Sequence, residues 1–356
     1  MNNPLPSDLD RLFGAAPGPW EELRDARIFL TGGTGFFGGW LLESLLAAND
    51  RRGLGATVTV LTRDPEAFRR ARPRLAGHAA VSLLLGDVLT LSPPETRFTH
   101  VLHAATPASA KLNLEAPRLM FETIVEGTRR VLEVARSSGA RRFLLTSSGA
   151  VYGPQPPDLS HVSEDHAGAP DPCAPGSAYG EGKRAAELLC ALAGREHGFD
   201  PVIARCFAFA GRYLPLDAHY AIGNFVRDAL AGGPIRIAGD GTPLRSYLYG
   251  ADLAAWLWTL LTRGQPARPY NVGSERAVSI SELAGIVARV LGVARGVEVA
   301  AVSEPGRPPS RYVPSTRRAR EELGLAERFT LEESILGMAE AARSGRYVGH
   351  APAALR

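Results

Sequence analysis

Short apolar or β-branched runs alternate with longer stretches of helical periodicity through the first part of the chain. Strands are predicted over 26–31, 57–62, 81–85, 100–104, 142–146 and 201–207, and helices over 37–48, 117–137 and 177–197. Strand and helix repeated in this way imply a parallel sheet covered on both faces, a doubly wound α/β fold. From about Gly211 the rhythm changes. A helix over 221–231 precedes a strand over 235–238, a Gly239-Asp240-Gly241 turn and a strand over 245–249. Helices follow over 252–262, 279–291, 315–323 and 331–342, with Pro/Gly/Arg-rich connectors at 264–269 and 304–309.

The pattern divides the chain into four parts. Residues 1–25 read as a leader with one short helix capped by Ser7. A dinucleotide-binding domain covers 26–210, and a smaller α+β substrate domain covers 211–345, with segments near 245–272 returning to the first domain. A tail covers 346–356.

Composition narrows the function. The 356 residues are 45% hydrophobic and 22% charged, which excludes disorder as the main state. A net charge of +3, without basic runs interleaved with aromatics, argues against a nucleic-acid partner. The cysteines, Cys173, Cys190 and Cys206, are odd in number and form no CxxC pair, so neither a disulfide framework nor a metal site is expected. The longest apolar stretches, 41–48 and 254–261, fall far short of the ~20 residues of a membrane span. With no signal pattern at the N-terminus, a cytoplasmic protein is expected. Only Lys111 and Lys183 are lysines; the other basic residues are arginines.

The first strand runs into Thr31-Gly32-Gly33-Thr34-Gly35-Phe36-Phe37-Gly38 and then a helix. Glycines here permit a tight turn and close approach of the backbone to a pyrophosphate. The helix offers free N–H groups and a positive dipole end to that anion. NAD or NADP is therefore the expected cofactor. An NAD site would end the second strand in a carboxylate for the ribose 2′-OH. Thr62 stands there instead, followed by Arg63, which leans toward NADP, while Asp64 remains able to reach the ribose. Asp87 and Val88, after the third strand, have the look of an adenine-edge contact.

Tyr179 and Lys183 are four apart in a helical pattern and face the same way. An ammonium beside a phenol favours the phenolate and draws its pKa down from about 10. With so few lysines, chance rarely produces this spacing. Thr146-Ser147-Ser148 closes the fifth strand, where hydroxyls open onto the ligand crevice of a parallel sheet.

TGGTGFFG, SSGAVYG and YGEGK together resemble the extended short-chain dehydrogenase/reductase family of nucleotide-sugar epimerases, dehydratases and decarboxylases, over about residues 26–345. The resemblance implies a catalytic triad of Ser148, Tyr179 and Lys183. It implies cofactor contacts from Gly32, Thr34, Gly35, Phe36, Phe37, Gly38, Arg63, Asp87 and Val88. Ala104, Ala105, Thr106, Thr146, Cys206 and Phe207 join them, as do Tyr179 and Lys183 themselves. The stretch His103 to Ser109 resembles UDP-glucuronate decarboxylases and implies a substrate contact from Ser109 beside that of Ser148. Asn224 and Arg245 fall in segments resembling those that hold the nucleotide diphosphate. The forked donors of Arg245 suit phosphate. A homodimer built on the helices over 117–137 and 177–197 is implied in the same way.

Four positions depart from the family. Dehydratases carry Asp-Glu directly after the catalytic hydroxyl and decarboxylases a Glu two residues after it; this chain has Gly149 and Ala150. Family asparagines are replaced by Ile124 and Ala208. Without an elimination carboxylate, dehydration is not expected. The expected activity is a nucleotide-sugar epimerase or 4-ketosugar reductase, with hydride exchange at a sugar carbon, C4 by preference. The alternatives are a UDP-glucuronate decarboxylase acting through a 4-keto intermediate and a non-catalytic dinucleotide-binding protein.

Overall fold

The computed structural model of the chain describes residues 6–14, 18–106, 110–218, 220–303, 306 and 308–344. Six strands, β1 (Arg27–Thr31), β2 (Thr57–Thr62), β3 (Val81–Leu85), β4 (His100–His103), β5 (Arg142–Ser148) and β6 (Asp200–Cys206), join a seventh, Pro269–Val272. Across the sheet the order is Pro269–Val272, β6, β5, β4, β1, β2, β3, with every pair parallel. The order reverses between β1 and β4, and the crevice outside their carboxyl ends is where ligands bind in open α/β sheets. The fold is the doubly wound, Rossmann-type sheet expected. Strand β5 runs two residues past the expected end, to Ser148.

Helices Phe36–Arg52 and Gly250–Arg263 cover one face. Trp40, Trp256 and Trp258 are buried there among Leu41, Leu45 and Leu257. Helices Pro117–Ser138 and Ala178–His197 pack together on the other face, over Phe29, Val101, Phe143 and Leu145. Gly250–Arg263 lies on this sheet and Pro269–Val272 pairs with β6.

The N-terminal segment is more than a leader. Its helix, Pro6–Gly14, starts one residue ahead of the expected cap Ser7 and buries Leu9 and Leu12. The Tyr249 hydroxyl donates to Asp8 Oδ2 at 2.8 Å, and Phe13 packs 4.9 Å from the buried Trp20. Chain-wise periodicity does not show this, because the helix completes a core formed by residues far along the chain.

The remaining portion packs helices Ala221–Leu230, Ile280–Leu291 and Leu331–Arg343 around Ile222, Phe225, Leu283, Val287, Ile335 and Met338. Ser279 and Glu282 form a capping box at the start of the second of these helices. The single strand expected over 245–249 is two short ones. Leu244–Arg245 lies between Val278–Ser279 and Arg311–Tyr312, whereas Leu248–Tyr249 pairs with Phe209–Ala210. Ser246 and Tyr247 turn the chain from one partner to the other. Among the described residues, no helix is long and apolar enough to cross a membrane. The three cysteines are free; Cys190 and Cys206 are buried and Cys173 is exposed.

Candidate active site

The turn after β1 is shaped by backbone crowding. Gly32 has φ +73°, and a Cβ there would meet the Ala104 carbonyl carbon and oxygen at 2.6 Å. A Cβ on Gly38 would meet the Gly33 backbone at 2.3 Å. Gly35 is exposed and caps the helix that begins at Phe36, so its free N–H end faces the crevice. A crowded backbone turn at a helix N-terminus has the shape and the donors to fit the pyrophosphate of a dinucleotide. Phe36 and Phe37 also serve packing: both stand near Phe209, at 6.4 and 5.1 Å between ring centroids. Thr34 is half-buried at the centre of the turn.

A buried hydroxyl ties this turn to β4. Thr31 Oγ1 accepts the N–H groups of Ala104 and Ala105 at 3.2 and 3.1 Å and lies 2.7 Å from His103 Nδ1. The Ala104 N–H is shared with the Thr31 carbonyl. His103 is neutral. Burial first, and the Lys183 charge second, hold its pKa down to about 3. Sequence reasoning missed this pair, whose members lie on different strands.

Beyond β2, Arg63 is exposed, with Nε 3.9 Å from Asp87 Oδ2. Asp87 Oδ1 accepts the Leu89 N–H at 2.9 Å, and Val88 is buried against Gly127. Asp64 caps helix Pro65–Ala71 by accepting the Ala67 N–H at 2.8 Å.

The three expected catalytic residues converge. Ser148 ends β5, and its Oγ accepts the Ala150 N–H at 3.1 Å and lies beside the Tyr179 phenol. Tyr179 opens helix Ala178–His197. Its N–H donates to Asn113 Oδ1 at 3.0 Å, while Asn113 Nδ2 donates to the Gly176 carbonyl at 2.8 Å. Asn113 thus satisfies a helix-end donor beside the tyrosine, a role the sequence did not suggest. Lys183 is buried one turn on, with Nζ donating to Thr106 Oγ1 at 2.8 Å and to the Thr146 carbonyl at 2.7 Å. Thr146 Oγ1 donates in turn to the His103 carbonyl at 3.1 Å.

The electrostatics differ from the simplest expectation. The Lys183 ammonium lies 6.0 Å from the Tyr179 ring centroid rather than on its hydroxyl. Burial pushes the Tyr179 phenol well up, opposed by the neighbouring Ser148 hydroxyl. Burial also lowers Lys183 to about 8, against the partial charges of Cys206, Glu187 and Cys190.

The departures from the family have structural counterparts. A Cβ on Gly149 would meet the Phe207 ring at 2.7 Å, so the ring occupies the space a carboxylate-bearing side chain would need. Phe207 stacks 4.7 Å from Tyr312, whose hydroxyl is 3.3 Å from Ser148 Oγ. Tyr312 comes from the C-terminal portion and was not singled out by sequence, because it belongs to no motif. Ile124 is buried against Gly182, beside Lys183. The Ala208 carbonyl accepts the Leu248 N–H. Cys206 is buried, its thiol raised to about 12 by burial.

The expected substrate residues are less clustered. Arg245 pairs in register with Tyr312, and its Nη1 donates to the Leu244 carbonyl at 2.8 Å. Asn224 lies in the first turn of Ala221–Leu230, with Oδ1 accepting from Arg227 at 3.3 Å. Among the described residues, nothing ties it to the triad. Ser109, with Pro107 and Ala108, lies outside the described residues.

A strand-turn-helix phosphate cradle beside a Ser-Tyr-Lys cluster defines a dinucleotide-dependent enzyme of the extended short-chain dehydrogenase/reductase type. Residues 28–273 match the model of the NAD dependent epimerase/dehydratase family, and the chain belongs to that family. It is 31% identical over 314 residues to UDP-glucuronic acid decarboxylase 6 of Arabidopsis thaliana, covering 88% of each chain. It is 30% identical over 331 residues to UDP-glucuronic acid decarboxylase 1 of Xenopus tropicalis, covering 92% of this chain and 75% of that one. The UDP-glucose 4-epimerase of Thermus thermophilus, solved in complex with NAD, superposes with a TM-score of 0.72 at 27% identity, covering 89% of this chain and 99% of that one.

Proposed function

We propose that the protein is an NAD-dependent nucleotide-sugar epimerase or 4-ketosugar reductase. The observation that carries this is the meeting of Ser148, Tyr179 and Lys183 at the crevice, with Gly149 and Ala150 in place of carboxylates and Phe207 packed against position 149. The backbone from Gly32 to Gly38 would hold the pyrophosphate, and Lys183 with Thr106 would hold the nicotinamide ribose. Bound there, a nicotinamide supplies the acceptor and donor of the hydride exchanged at the sugar carbon. Tyr179 takes the proton of the hydroxyl on that carbon and returns it when the ketone is reduced. Ser148 keeps the phenol placed against that oxygen through both steps, and the Lys183 ammonium favours the ionised phenol. Reduction on the opposite face gives an epimer.

NAD is proposed over NADP. The lean of Thr62-Arg63 toward NADP rests on Arg63, whose guanidinium turns toward the Asp87 carboxylate. The exposed side chains Phe121, Leu188 and Leu192, on the two packed helices of one face, support a homodimer that covers them. A cytoplasmic nucleotide sugar is the proposed partner, with Arg245 its diphosphate contact.

A second reading is decarboxylation of UDP-glucuronate, favoured by the relatives of about 30% identity. A 4-keto uronate is a β-keto acid and loses CO₂ readily once formed. Incubation with UDP- and dTDP-sugars, uronates included, followed by NMR of the products, separates the two. An epimer, or a 4-hydroxy product from an added 4-keto sugar and NADH, supports the first, and CO₂ release from UDP-glucuronate the second. No turnover of any nucleotide sugar contradicts both.

A further inference from the structure

Tyr312 reaches the catalytic hydroxyl from the other side of the crevice. It ends the short strand Arg311–Tyr312, held in parallel register with Leu244–Arg245. Its hydroxyl is 3.3 Å from Ser148 Oγ and 3.4 Å from the Cys206 carbonyl oxygen. Its ring is fixed by Phe207.

Counting protons at Ser148 gives this contact a consequence. A serine hydroxyl has one proton and two lone pairs. Ala150 N–H fills one lone pair. The other lone pair and the proton are left for Tyr312, 3.3 Å away, and for the neighbouring Tyr179 phenol. While Tyr179 keeps its proton it donates to Ser148, Ser148 donates to Tyr312, and Tyr312 donates to the Cys206 carbonyl. An ionised Tyr179 can only accept. Ser148 must then turn its proton to Tyr179, and the lone pair left open takes the proton of Tyr312. Only hydroxyl rotations are needed, and no proton leaves its oxygen.

We propose that Tyr312 is a positioning residue of the acid–base step, donating to Ser148 and through it stabilising the Tyr179 phenolate. The inference rests on Tyr179 being the acid–base group. It also means that the hydroxyl chain is complete only when the C-terminal portion is seated on the sheet.

The surroundings suit the role. Tyr179 faces Ser148, Tyr312, Cys206, Tyr220 and Lys183. Tyr312 faces Ser148, Cys206, Arg245 and Tyr152. Burial raises Tyr312 to about 12, so it keeps its proton through the neutral range. Cys206 is neutral there for the same reason.

The test places a difluorinated tyrosine, whose phenol ionises nearer neutrality, at position 179 of the full chain and follows its fluorine NMR shift with pH. Tyr312→Phe removes one oxygen and keeps the ring on Phe207, and thermal unfolding checks the fold. The ionisation midpoint is expected to rise by about one pH unit, a tenfold change, in Tyr312→Phe. In a Ser148→Ala background the same substitution is expected to add nothing. An unchanged midpoint in Tyr312→Phe, or an equal rise with and without Ser148, overturns the proposal. The readout needs no substrate, so absence of sugar turnover would contradict the proposed activity without touching this result. In turnover, Tyr312→Phe is expected to lower kcat about tenfold at neutral pH with KM unchanged, and the loss should shrink as pH rises.

Discussion

The Lys183 ammonium donates to the Thr146 carbonyl at 2.7 Å and so ties the helix bearing Tyr179 to the strand ending at Ser148. The same ammonium holds Thr106, so one charge spans three segments of the crevice. Lys183→Met is expected to weaken NAD binding by at least tenfold, the scale of a lost charge-assisted hydrogen bond of about 1.5–3 kcal/mol. Its thermal stability should stay near that of the native protein, since a buried charge leaves with the contact. Titration calorimetry checks the affinity; native affinity in the variant would remove Lys183 from the cofactor site.

The lowered Lys183 pKa sets a pH limit on the free enzyme. Burial holds the group near 8, below its ordinary value. The ammonium is intact below that pH and is lost as pH rises through it. NAD affinity of the free protein is therefore expected to fall between about pH 8 and 9, by up to tenfold per pH unit. Affinity that stays flat to pH 10 would contradict the assignment.

Phe207 crowds position 149, so a carboxylate cannot be placed there by a simple exchange. Gly149→Ala is expected to cost about 1–3 kcal/mol through overpacking against the ring, measured by urea unfolding. Gly149→Asp should cost more and confer no dehydration. A Gly149→Ala variant of native stability would show that the ring yields freely.

Much of this site was legible in the chain because its parts are local. Gly32 to Gly38 sit between a strand and a helix, and Tyr179 and Lys183 share one helical turn. The strand ends were also readable from short apolar runs. What escaped depends on contacts between distant segments. Tyr312 reaches Ser148 through strand register with Leu244–Arg245. Asn113 caps the Tyr179 helix from another helix. Asp8 meets Tyr249 only after folding, which is why the N-terminal helix read as a leader.

Two buried histidines predict acid sensitivity. His103 is held at about 3 and His100 at about 4, burial being the main cause of each. Both are neutral in the fold, whereas the unfolded chain takes up a proton near 6.5. The stability they support is full above that pH and is lost as pH falls toward 4. By pH 5 the loss is about 2 kcal/mol per histidine. Urea unfolding of the native protein and of His103→Gln at pH 7 and pH 5 checks this. The gap between the two proteins should narrow on acidification; a constant gap would contradict it.

The central claim is that Tyr179, held by Ser148 and served by Lys183, moves the proton while a sugar carbon is oxidised. It is tested most directly by rapid mixing of the NAD-loaded protein with UDP- and dTDP-sugars while following reduction of the bound cofactor. The account predicts transient reduction with at least one nucleotide sugar in the native protein. In Tyr179→Phe the rate should fall about 100- to 10,000-fold with substrate affinity retained. Reduction at the native rate in Tyr179→Phe, or none with any nucleotide sugar in the native protein, would contradict it.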